Sequence, residues 1–249
     1  MSRSSSSGPD LILASASPRR RELLERVGLK LRIAAPEIDE TPRPGEAAGD
    51  YVRRMAADKL AASLRANDRA GQDAFNQDGF NQDGSNKGGA PTVARSAGVA
   101  PAGDEPAAGG APLATLAADT IVILQGAILG KPRDEADALA MLRRLSGHRH
   151  EVTTAYRIGF GTRQAERAVT TTVAFRLVDP AELDAYLAGG EWRGKAGAYA
   201  LQGTAAAFVT ELRGSPTNVI GLPLPEALAD LRALGALPAY PPPGFPVVA

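Results

Sequence analysis

Apolar positions change their spacing repeatedly along this chain, and each change predicts an element. Residues 11–15, opening with a continuous apolar run over 11–14, read as a short buried strand. Ser17 then stands where a helix N-cap belongs, with Pro18 at the first helical position, and the predicted helix ends at Gly28. A second short strand is expected over 31–35, a Pro-rich loop over 41–45 and a helix over 47–65. At about 100° per residue that helix gathers Tyr51, Val52, Met55, Ala56 and Leu60 into one apolar arc, with Lys59 near its middle.

Apolar spacing resumes after residue 115. Residues 117–124 and 127–130 flank Gln125-Gly126 and read as a hairpin, since Gly supplies the positive φ that two-residue turns need. Ala138, Met141, Leu142 and Leu145 follow helical spacing up to Gly147. Residues 151–160 and 165–177 read as paired strands; in the second, Val169, Thr171, Val173, Phe175 and Leu177 share the core face. Asp179-Pro180 begins a helix that Gly189-Gly190 stops, a strand is expected over 205–212, and a final helix over 225–235. Strands and helices alternate without a strict βαβ rhythm, which predicts a mixed α/β (α+β) fold.

Between 66 and 115 the composition shifts to Gly, Ala, Asn, Asp and Pro, and Phe75-Asn76-Gln77-Asp78-Gly79 is repeated as Phe80-Asn81-Gln82-Asp83-Gly84. Such a stretch buries too little apolar surface to offset its ordering entropy. The expectation is a low-complexity, disordered insertion inside one domain spanning 11–236, with a disordered N-terminus over 1–10 and a Pro-rich tail over 237–249. The paired Phe residues leave a partner-binding segment as an alternative.

Charge narrows the function classes. The 28 Lys and Arg balance 28 Asp and Glu, so the basic excess of a nucleic-acid-binding protein is missing, while a small anionic ligand stays open. There is no Cys, which removes thiol nucleophiles, thiolate metal sites and disulfides. The apolar run at 11–14 is too short for a secretory signal, and nothing approaches a membrane-spanning length of about 20 residues. A cytoplasmic protein without membrane or nucleic-acid partners is expected.

Several residues carry candidate chemistry. In Ser15-Ala16-Ser17-Pro18-Arg19-Arg20-Arg21, a helix N-terminus, hydroxyls and guanidinium forks come together, a set that suits a phosphate chain; a capped surface helix with solvated arginines is the alternative. Lys59 either snorkels to water or points from its apolar arc at an anion. Asp119 and Lys131 fall near each other across the hairpin, where an acid among bases could polarise water or hold a metal, or form an ordinary salt bridge. Glu37, Asp39 and Glu40 are either a solvated loop or magnesium-type ligands. His148 and His150 invite a zinc reading, but with no Cys and no third His a structural role is favoured.

Taken in order, these blocks resemble the Maf family, named for septum formation inhibition and related in fold to inosine triphosphate pyrophosphatases. The resemblance is carried by residues 11–24, by Ala118-Asp119-Thr120-Ile121-Val122, Gly130-Lys131-Pro132, Leu145-Ser146-Gly147 and His150-Glu151-Val152-Thr153-Thr154, by residues 195–203, and by 218–224. It implies a twisted mixed sheet with flanking helices and a central cleft, often in a homodimer. It also implies hydrolysis of a nucleoside triphosphate to the monophosphate and pyrophosphate with a divalent cation, Mg2+ or Mn2+. Asp119 matches the proton acceptor, Lys59 and Lys131 the family's two lysines, expected to be catalytic here, and Glu40 its acidic position after the second strand; Glu40 and Asp119 are expected to hold the metal. Substrate contacts fall on Ser15, Ser17, Arg19, Arg20, Thr120, Lys195 and Gln202, with Arg19, Thr120 and Gln202 at specificity positions. Gln202 matches the subgroup acting on dTTP and UTP; in the subgroup acting on 7-methyl-GTP a Glu stands in that block. Two departures stand out: the long insertion, and Glu191-Trp192-Arg193-Gly194 leading into the 195–203 block. A non-hydrolysing nucleotide sensor of cell division and a scaffold working through the insertion and tail are the rival readings.

Overall fold

The computed structural model describes residues 8–78 and 113–237, and for residues 70–78 the backbone alone. Of the N-terminus predicted disordered over 1–10, residues 1–7 lie outside the described residues, as do the inner part of the insertion (79–112) and the tail from 238; Asp10 is ordered, its N–H donating to the Lys30 carbonyl at 2.8 Å, and Leu237 is buried.

Short apolar runs seed the sheet. β1 (Leu11–Leu13), all of it buried, pairs in parallel with β2 (Leu31–Ile33) on one side and β3 (Ala114–Leu124) on the other. α1 (Pro18–Arg26) links β1 to β2. β4 (Ala127–Leu129) folds back on β3 through Gln125 and Gly126, whose φ values of 51° and 80° give the two left-handed residues of a tight hairpin turn. β5 (Arg149–Phe160), β6 (Arg163–Phe175) and β7 (Val209–Arg213) extend the sheet antiparallel, giving the order β2-β1-β3-β5-β6-β7. The predicted mixed sheet is therefore the observed one.

Helices cover this sheet with the faces their apolar spacing dictates. α2 (Ala48–Asp78) lays Val52, Met55 and Ala56 on Ile121 of β3 and Ala155 of β5. α3 (Glu135–Leu145) and α4 (Pro180–Ala188) enclose a core with Val122, Phe175, Trp192 and Tyr199. Asp179 and Glu182 form a reciprocal capping box at the start of α4. α5 (Pro216–Ile220) and α6 (Leu224–Ala233) close the chain, α6 packing with α1 around Leu13, Leu24, Leu116 and Ile158.

Four expectations need correction. The predicted helix over 47–65 runs on to Asp78, so the first part of the 66–115 segment is helical; it contains Ala and Arg, no Pro, and only Gly71, which costs about 1 kcal/mol in a helix interior. At its other end the segment gives way to β3 at Ala114. The strand expected over 205–212 is a 3-10 helix, Thr204–Phe208, followed by β7, because three consecutive Ala suit a strand poorly and 3-10 geometry puts Ala205 and Phe208 on one buried side. Leu177 is 80% exposed: the alternation that places Thr171, Val173 and Phe175 inward stops with β6. Finally, α5 was not expected, although Ser215-Pro216 repeats the cap-and-Pro signal of Ser17-Pro18.

Candidate active site

A break in strand pairing creates the site. On the β1 side, β3 is paired as far as Leu116, whose carbonyl also accepts the Ala14 N–H at 2.8 Å; β4 pairs on that side only from Val122. Between these points the edge of β3 faces neither strand, and Asp119 and Thr120 sit there. Successive strand residues point to opposite faces, so Asp119 turns toward α2 and Thr120 toward α1. Both line one cavity of about 350 Å³.

On the α2 side, the apolar arc drives Lys59 inward until it is 8% exposed. Its ammonium lies 2.6 Å from Asp119 Oδ1 and 2.7 Å from Glu40 Oε1, and Lys131 Nζ reaches Glu40 Oε2 at 3.1 Å. The loop before α2 presents Glu40 because Tyr51 donates its hydroxyl to the Glu40 carbonyl at 2.9 Å while Arg54 grips the Thr41 carbonyl and the Glu46 carboxylate. Partial burial alone would raise the Glu40 carboxyl, yet the hydrogen bonds and charges of Lys59 and Lys131 hold it below its usual range. Asp39 instead accepts the Thr41 N–H on the exposed side of the loop, and of the acidic cluster only Glu40 lines the cavity.

Across the cavity, the junction before α1 supplies donors. Ser17 occupies the N-cap position without a capping bond from its side chain, and its own N–H is received by Ser15 Oγ at 3.2 Å. Arg20 is buried and tied by three bonds: to the Gly221 carbonyl at 2.7 Å, Ser15 Oγ at 3.0 Å and Thr120 Oγ1 at 2.9 Å. Burial lowers its pKa, with the Asp119 charge opposing. Thr120 Oγ1 continues to Thr154 Oγ1 at 2.9 Å, and Thr154 donates to the Asn218 carbonyl at 3.0 Å. The amide of Asn218 is fully enclosed and donates to the Val152 carbonyl and Thr171 Oγ1, both at 2.9 Å. α5 is thereby fastened under the cavity, a role no spacing in the sequence announces. Arg19 spends one nitrogen on the Ile220 carbonyl at 3.3 Å and lines the cavity.

The remaining wall is the segment leading to the 3-10 helix, carrying Lys195, Tyr199 and Gln202. Gly197, at φ 68°, lies so close to β3 that a Cβ would meet Val122 Cγ2 at 3.0 Å, and its N–H reaches the Gly130 carbonyl at 3.1 Å. Tyr199 anchors the segment through its hydroxyl, 2.9 Å from His150 Nε2, and both rings pack edge-on against Phe175. His150 is thus a buried packing residue, and His148 Nδ1 lies 2.8 Å from the Ser146 carbonyl.

This burial makes a pH prediction. Desolvation pushes the His150 imidazole from 6.5 down to about 4, so the unfolded chain protonates it first as pH falls. Its contribution is complete above pH 6.5 and is lost as pH falls toward 4, at up to about 1.4 kcal/mol per unit. His150→Gln, which keeps a partner for Tyr199, should flatten the drop in melting temperature across that window. An unchanged slope would assign the acid lability to other groups.

The chain is neutral overall, but its cavity is not. Arg19, Arg20, Lys59, Lys131 and Lys195 face only Glu40 and Asp119, an excess of three positive charges in a concave, half-apolar site. Every residue that the family resemblance implies as catalytic, substrate-binding or metal-binding lines this one cavity, whereas Glu37 and Asp39 of the acidic cluster do not. The arrangement can bind a polyphosphate and place one carboxylate against it. Tyr199, the valines Val122 and Val152, and Ile220 also line it and were not foreseen as site residues.

Residues 10–234 match the protein family described as Maf-like protein. A dTTP/UTP pyrophosphatase of Sphingopyxis alaskensis is 43% identical over 229 residues, covering 91% of this chain and 97% of its own. Proteins of the same name from Bordetella parapertussis and Geobacter sulfurreducens are 43% and 42% identical, covering 91% of this chain and 93% and 97% of theirs.

Proposed function

The chain belongs to the Maf family, and on that premise we propose that it is a nucleoside triphosphate pyrophosphatase hydrolysing dTTP and UTP to the monophosphate and pyrophosphate. The observation that carries this reading is Asp119, one of two carboxylates set among five cations in a cavity with an excess of three positive charges. Asp119 accepts a proton from water as that water attacks the α phosphorus. The new bond joins the water oxygen to the α phosphorus, the bond from the α phosphorus to the bridging oxygen breaks, and pyrophosphate leaves. Lys59, Lys131 and Arg19 meet charge growing on the phosphate oxygens; preorganised donors of this kind contribute about 3–4 kcal/mol each. They accelerate the reaction only to the extent that they hold the transition state more tightly than the substrate.

A divalent cation, Mg2+ or Mn2+, fits this donor set. Glu40 and Asp119 already converge on one ammonium, and magnesium bound by one or two carboxylates takes its other ligands from phosphates and water. When bound, it would neutralise and orient the phosphate chain. Among the described residues no helix is long and apolar enough to cross a membrane. As proposed, the enzyme works in the cytoplasm as a homodimer acting on free nucleotides.

Purified protein given dTTP, UTP, CTP and 7-methyl-GTP with Mg2+ or Mn2+ should release monophosphate and pyrophosphate in equal amounts, fastest from dTTP and UTP. Release of inorganic phosphate and a diphosphate would place cleavage at the wrong bond. Binding without any release would favour a nucleotide sensor, which has no use for a water-activating carboxylate.

A further inference from the structure

The segment Glu191-Trp192-Arg193-Gly194, set apart in the sequence and unused by the chemistry above, begins the cavity wall that carries Gln202. Its two ends are joined by one side chain. The Glu191 carboxylate accepts the Thr204 N–H at 3.0 Å and the Thr204 hydroxyl at 2.5 Å, closing a loop of chain from Glu191 to Thr204. Gly203 makes room for this clasp: a Cβ there would fall 1.8 Å from Glu191 Oε2. The Lys195 ammonium donates to the Glu191 carbonyl, so the same residue also restrains the cation on that wall.

Within the loop, the buried face is anchored independently. Trp192 Nε1 donates to the Leu187 carbonyl at 3.1 Å and Tyr199 is held by His150. The cavity face is different, because Gln202 is exposed and lies between the Tyr199 anchor and the Thr204 clasp. Removing the clasp leaves the far side of Gln202 held only by the turn that Gly203 N–H closes on the Ala200 carbonyl at 3.1 Å and by the buried Ala205 three residues on, neither of which touches the exposed side chain. A side chain that must read a base by hydrogen bonds works only when its position is set beforehand.

We propose that Glu191 is a positioning residue that sets Gln202 by clasping Thr204, and so governs recognition of the nucleoside end of the substrate without touching it. This rests on the dTTP and UTP reading above. The phosphate end should be indifferent to it, since Lys59 and Lys131 come from α2 and the chain after β4.

The test compares native protein with Glu191→Ala, Glu191→Gln and Gly203→Ala. Calorimetric titration with dTMP and with pyrophosphate is run beside kcat and KM for dTTP and UTP. Glu191→Ala should weaken dTMP and raise KM about tenfold, with kcat and pyrophosphate affinity within about twofold of native. Gly203→Ala, whose Cβ displaces the carboxylate, should give the same split. Glu191→Gln keeps an acceptor for Thr204 and should stay within about threefold of native. Unchanged dTMP affinity in Glu191→Ala, or equal losses for dTMP and pyrophosphate, would overturn the proposal. If native protein binds dTMP but releases no pyrophosphate from dTTP, the pyrophosphatase reading fails while the dTMP comparison still decides the role of Glu191.

Discussion

Asp119→Asn should lower kcat for dTTP by about a thousandfold or more, within the range a positioned general base contributes. The amide keeps the carboxylate's shape, so β3 and its neighbours have no reason to move, but it cannot take a proton from water. Binding should respond differently. Losing one of the two cavity carboxylates raises the positive excess there, so nucleotide affinity should hold within about tenfold or improve. Lys59 keeps Glu40, 2.7 Å away, and is not left as an unpaired buried charge. Turnover and dissociation constants measured on the same preparation check both halves. Near-normal pyrophosphate release would remove Asp119 from the role of base, and loss of binding together with turnover would point to a damaged fold.

Much of this site was legible in the sequence because its parts lie on regular elements. Lys59 stands out since a helix returns to the same face every three to four residues, and a charge inside an apolar arc must either escape or be paired; here it is paired, with Asp119 and Glu40. The hairpin was legible from Gln125-Gly126, and continuing its register puts Lys131 opposite Thr120. In the structure Lys131 and Asp119 do line the same cavity, but they are linked through Glu40 and Lys59 rather than paired with each other. β4 stops at Leu129, so Lys131 lies beyond the ladder, and its ammonium meets Glu40 at 3.1 Å. Strand alternation fails as a guide once the strand has ended, as it did for Leu177.

What stayed hidden depends on loops that come together only in the fold. Arg20 read as a guanidinium fork for a phosphate chain or as a solvated arginine, and neither reading foresaw that it is buried against Ser15, Thr120 and Gly221, the last two at least 100 positions away. Asn218 was visible as part of a family block but not as the amide that ties α5 to β5 and β6. The Glu191 clasp spans 13 positions of irregular chain and has no periodicity to betray it. Its only local sign is Gly203 before Thr204, meaningful once the carboxylate is known to lie there.

Gln202→Glu should cost about a hundredfold in kcat/KM for dTTP and UTP. A neutral amide offers a donor and an acceptor, matching the O4 and N3–H edge of thymine and uracil, whereas a carboxylate presents acceptors alone. Facing O4, it would leave two acceptors in contact with nothing between them, a loss of about 2–3 kcal/mol. The new charge also sits in a cavity that receives a polyanion, so some loss of affinity will be common to every substrate. The readout is therefore a ratio. Pyrophosphate inhibition should weaken by less than about threefold, as Lys59 and Lys131 hold the far end, while the preference for dTTP over 7-methyl-GTP should fall by more than about tenfold, because guanine presents donors to a carboxylate. A uniform loss across dTTP, UTP, CTP and 7-methyl-GTP would mean that Gln202 senses charge alone, and base selection would then pass to Arg19 and Thr120 on the opposite wall.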